Sequence, residues 1–116
     1  MPTLHIEGLH CVKKRDPLGK DEIDIYVSVD GGPELFISGP HFLDKSNNDD
    51  FVNLHTDRNF TDEIKVRLKE RDAGRGGNND KDLGSKTYDK TELTSGNDTT
   101  FGFDGVSYVM DYRITA

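Results

Sequence analysis

The sequence predicts an all-β fold, an antiparallel β-sandwich of seven or eight short strands. Apolar residues recur at every second position in several runs. Those runs are separated by loops rich in Gly, Asn and Asp. No long run carries the 3.6-residue period of a helix. A chain of 116 residues holds one core of two layers, so residues 1–116 are read as a single domain.

The opening run "TLHIEGLHCVKK" alternates through Leu4 and Ile6, then resumes at Leu9 and Cys11. The frame slips at Gly8, which predicts a bulge there. In "EIDIYVSVD", Ile23, Ile25, Val27 and Val29 form one face, and Asp24, Tyr26 and Ser28 form the wet one. "ELFISG" is a shorter strand, joined to its predecessor by the hairpin connection Asp30-Gly31-Gly32-Pro33. "FVNLHT" is a weaker strand signal. "TDEIKVRLKERD" has helix-friendly composition, but Ile64, Val66 and Leu68 fall strictly two apart, so it reads as strand. "KTYDKTEL" is again weak. "TTFGF-DG-VSYVM" is a hairpin turning on Asp104-Gly105, and Tyr108, Met110, Tyr112 and Ile114 share one face of its second arm. "DKSNNDD" (44–50) and "SGND" (95–98) read as polar loops without an evident task.

Composition excludes some functions. The net charge of −7 disfavours a nucleic-acid partner, because a phosphate backbone needs a basic face. It also disfavours direct docking on an anionic membrane, although a bound divalent cation reverses local charge. Cys11 is the single cysteine, so neither an intrachain disulfide nor a cysteine-based zinc site can form. No apolar leader or membrane span is read, so the default expectation is cytoplasmic, with an extracellular location left open. Asn59-Phe60-Thr61 and Asn97-Asp98-Thr99 match the glycosylation acceptor pattern, which short sequences often do by chance.

Two loops collect acids. "RDPLGKDE" carries Asp16, Asp21 and Glu22. "KERDAGRGGNNDKDLG" carries Glu70, Asp72, Asp80 and Asp82. Residues two apart on a strand point the same way, so Glu70 and Asp72 can aim at one ion, and Asp80 and Asp82 repeat the spacing. Calcium takes six to eight oxygen ligands in a flexible cage, and glycines let the backbone fold round it. On the residues alone, the same loops read first as solvated connections, because Asp and Asn tolerate turns, and only second as a cation cage.

The scattered His5, His10, His41 and His55 read as satisfied or surface histidines, and Cys11 as a small core residue. Tyr108 and Tyr112 read as core rather than as a sugar-stacking platform, and Tyr26 as the exposed aromatic candidate. No Gly-x-Ser-x-Gly setting occurs, and "GRGG" lacks the Lys-Ser/Thr and helix of a phosphate loop.

"DPLGKDEIDIYVSV" resembles the first calcium loop of C2 domains. "IKVRLKERDAGRGGNNDKDLGS" resembles their third, in which an alternating strand ends in Asp-x-Asp and an acid stands shortly before Leu-Gly. The two motifs come in the family's order. The resemblance implies calcium held by Asp16 and Asp21 in the first loop and by Glu70, Asp72, Asp80 and Asp82 in the third. It implies a non-enzymatic calcium-binding module in which calcium stabilises the fold, mediates ligand binding, or both. The ligand would be a protein, a lipid head group or a carbohydrate. Lipid insertion is weakened, because only Pro17 and Leu18 form an apolar loop tip. The competing expectation is a metal-free protein-interaction, structural or inhibitory β-sandwich. A hydrolase built on these carboxylates is disfavoured, since catalytic pairs need a dry pocket and these loops read as wet.

Overall fold

The computed structural model describes residues 1–13, 21–44, 50–71, 81–103 and 105–116. These form eight strands: β1 (Thr3–Lys13), β2 (Asp21–Val29), β3 (Leu35–Leu43), β4 (Phe51–Asn59), β5 (Glu63–Arg71), β6 (Lys81–Asp89), β7 (Thr94–Phe103) and β8 (Val106–Thr115). Two four-stranded sheets, ordered β4-β1-β8-β7 and β3-β2-β5-β6, pack face to face. The pairings are antiparallel throughout. Among the described residues no helix is long and apolar enough to cross a membrane.

The period-two faces meet in the middle. Leu4, Ile6, Leu9 and Cys11 of β1 and Tyr108, Met110, Tyr112 and Ile114 of β8 line one side of the core. Ile23, Ile25 and Val27 of β2 and Ile64, Val66 and Leu68 of β5 line the other. Each fully buried aliphatic side chain contributes about 1.5–3 kcal/mol, so the four central strands hold the sandwich together. The bulge at Gly8 is present: the register of β1 shifts between Ile6 and Gly8 against both β4 and β8. That shift returns Leu9 to the core.

Three sequence readings are corrected. Residues 95–98 belong to β7 and are not a loop. This is an edge strand with polar residues, and its register slips between Thr94 and Asn97, so no alternation marks it. The third strand runs on to Leu43 through a cis Gly39–Pro40 bond, past the "ELFISG" stretch. Asp24 and Ser28, read as wet, are buried.

The β2–β3 turn has positive φ at both Asp30 (51°) and Gly31 (74°), with Gly32 N–H donating to the Val29 carbonyl at 2.9 Å. That is the type I′ pattern suited to twisted hairpins. The Asp30 carboxylate then reaches the β4–β5 connection. It accepts from the N–H of Asp62 (2.7 Å), Glu63 (3.0 Å) and Thr61 (2.9 Å). Asp62 first, then Glu63 and Thr61, hold its carboxyl below the usual aspartate value.

Asp30→Ala strips three turn amides of their acceptor, and thermal melts should show a lower Tm. Because the folded carboxyl is the stronger acid, its contribution is present above the unfolded carboxyl value. It is lost as pH falls through the lower folded value. The Tm gap between wild type and Asp30→Ala should therefore shrink on acidification; a gap independent of pH would contradict this role.

Candidate functional site

Strands that alternate in direction put every second connection at the same end. Residues 14–20, 45–49, 72–80 and the β7–β8 turn all leave one end of the sandwich, while both termini lie at the other. The register makes the neighbours explicit. Asp21 lies opposite Leu43, Glu22 opposite Arg71, Glu70 opposite Lys81, and Lys13 opposite Ser107. The two acidic loops of the sequence therefore spring from adjacent, hydrogen-bonded strands, β2 and β5.

Of the six predicted ligands, Asp16, Asp72 and Asp80 lie outside the described residues. Asp21, the first residue of β2, shares the inward parity of Ile23 and Ile25. It is 6% exposed, and the Tyr108 hydroxyl donates to its carboxylate. Glu70 lies opposite Ile23 and follows Leu68 by two, so it too has inward parity, at the end of β5. Asp82 lies opposite Lys69 on the outer face of the sheet. Its carboxylate accepts from the Arg67 guanidinium and from the Gly84 N–H at 2.8 Å. Asp21 and Glu70 thus share one face of the loop end, and Asp82 is turned to the other. Among the described residues no three His, Cys, Asp or Glu side chains converge as a metal site.

Sequence reasoning missed Asp44 and Asp50 here. They flank residues 45–49 and so belong to the same end, between β3 and β4. The Asp50 carboxylate lies 3.3 Å from His10 Nε2. A count of connections along an assumed alternating sandwich would have found them.

The chain matches no family model and no curated protein. Among solved structures it is similar to one described as "Structure of a C2 domain". The likeness covers 100% of both chains at a TM-score of 0.59 and 14% identity. The fold is C2-like.

In this C2-like domain the outer face of β5 carries Lys65, Arg67, Lys69 and Arg71 in a row. Three of these cations are matched in place. Glu34 binds Arg67 at 2.8 Å and Lys69 at 3.2 Å, Asp82 binds Arg67, and Asp24 binds Arg71. Lys69 also sits 4.6 Å from the centre of the Tyr26 ring, which packs edge-on against Phe36. Tyr26 is therefore half-buried beneath a cation rather than standing free. The row is largely neutralised and offers little to an anionic surface.

Beside the loop end, Asp24 is fully buried on that face. It accepts from Arg71 Nε at 2.9 Å and Nη2 at 3.1 Å, a two-pronged pair. Gly39 makes room for it. A Cβ there would stand 2.5 Å from Asp24 Oδ1, and the φ of 130° suits glycine. His41, hydrogen-bonded to Ser38 at 2.6 Å, has its pKa lowered by burial, with nearby Asp24 opposing the shift. The sequence signal for this cluster is slight, because Asp24 keeps the parity of a wet-face residue.

Arg71→Met would leave the Asp24 carboxylate buried without its counter-charge. Urea denaturation should show a loss of about 3 kcal/mol, the low end for such a break because water already reaches the guanidinium. A loss below about 0.5 kcal/mol, the size of an ordinary surface change, would contradict the pairing.

Proposed function

We propose that this C2-like domain is a non-enzymatic calcium-binding module whose acidic loops hold the ion at one end of the sandwich. One observation carries the reading: the two acidic connections leave neighbouring strands at the same end, with Asp21 and Glu70 on the same inward face. The donor set fits a hard cation, being carboxylate oxygen on connections whose sequence contains glycine. Asp16, Asp72 and Asp80 would supply the other carboxylates. Such a group of acids repels itself without an ion, so calcium binding to the folded state alone stabilises it by RT ln(1 + [L]/Kd), about 2.7 kcal/mol at a hundredfold excess over Kd. The bound ion would then bridge to a protein, a carbohydrate or a lipid head group. Direct docking of the β5 face on anionic lipid is not part of the proposal, since its cations are matched by Glu34, Asp82 and Asp24.

A metal-free interaction module is the second reading, and one feature favours it. A groove of about 600 Å³ crosses the outer face of the β4-β1-β8-β7 sheet, lined by Glu7, Phe51, Asn53, Asn97, Asp98 and Asp111. Asp98 and Asp111 lie directly opposite one another in the register. Like charges so placed are destabilising on their own, and a ligand with donors would relieve them.

Calcium against chelator separates the two readings. The calcium module requires a clear rise in Tm with millimolar calcium. Asp72→Asn and Asp16→Asn should abolish most of that rise, whereas Asp62→Asn, at the far end and paired with Lys90, should not. Melting that ignores both calcium and chelator would remove calcium and leave the interaction module.

A further inference from the structure

Among the described residues, a polar link joins the two sheets inside the core at the loop end. Tyr108 of β8 is fully buried, and its register partners are Cys11 and Phe101. Its hydroxyl crosses to the other sheet and donates to Asp21 Oδ2, at the first residue of β2. A buried phenol needs a hydrogen-bond partner, and a buried carboxylate needs a donor; each meets the requirement of the other. The second carboxylate oxygen, Oδ1, accepts from no described residue and is not sealed in the core.

We propose that Tyr108 is a positioning residue for calcium: it pins Oδ2 of Asp21 and leaves Oδ1 as the oxygen offered to the ion. This inference rests on the calcium reading of the loop end and extends it to a residue of the opposite sheet. Without the phenol, Asp21 turns about its side-chain bonds, and the ligand geometry must be rebuilt on each binding event. Groups that orient a metal ligand in this way change affinity about 10–100-fold when removed. The same hydrogen bond makes Tyr108 a reporter. The chain has four tyrosines and no tryptophan, so tyrosine emission is readable. An ion that draws charge from Asp21 weakens the bond to the phenol and changes that emission.

Calorimetric calcium titrations of wild type, Tyr108→Phe and Asp21→Asn, with tyrosine emission followed in parallel, test this. Tyr108→Phe should still melt cooperatively and should bind calcium about tenfold more weakly than wild type. Asp21→Asn, which retains the fluorophore and a hydrogen-bond acceptor, should lose the calcium-dependent emission change. Wild-type affinity in Tyr108→Phe, or a retained emission change in Asp21→Asn, overturns the positioning role while the calcium reading stands. A wild type that binds no calcium overturns both. Should Tyr108→Phe not fold, an emission change retained in Asp21→Asn still overturns the positioning role.

Discussion

The sandwich depends on the contact between two inward faces. Each central strand gives one face to that contact, and its side chains alternate, so the other face is left to water and charge. Everything else is arranged around this. β1, β8, β2 and β5 sit inside their sheets and supply most of the core; β4, β7, β3 and β6 are edges. With only 32% of its residues hydrophobic, the chain has little apolar surface to spare. It places that surface on the inner strands and leaves β7 polar.

Strand alternation also sorts the acids. Connections from odd to even strands gather at one end, and both termini and the remaining turns gather at the other. The two ends treat negative charge differently. At the far end, Asp30 is surrounded by backbone N–H groups, which stabilise its charge locally. At the loop end, Asp21 has one phenol and Asp24 one arginine, and the four connections that leave there carry further acids in their sequence.

The outer faces divide in a similar way. On the β3-β2-β5-β6 sheet, cations and acids alternate closely enough to neutralise one another, with Tyr26 and Phe36 packed beneath. On the other sheet, the Phe51 ring packs closely over Gly8, where a Cβ would stand 2.8 Å from it, and Asp98 and Asp111 face each other across neighbouring strands. The first surface is largely neutralised, and the second sets like charges side by side.

The four central strands β1, β2, β5 and β8, the bulge at Gly8 and the antiparallel sandwich are determined by sequence alone. Period-two burial is a local property, and one residue out of frame is visible without any partner. The acidic character of the 14–20 and 72–80 connections is equally local. Tertiary structure decided what depends on a second strand. It showed that β7 begins among polar residues, because an edge strand is held by its neighbour's hydrogen bonds and needs no apolar face. It turned Asp82 outward to Arg67 and set Glu70 inward, since register relative to β5 assigns each side chain its face. It buried Asp24 under Gly39 and joined Tyr108 to Asp21 across 87 positions of chain. Such pairs leave no trace in spacing, because the distance that matters runs across or between the sheets and not along the strand.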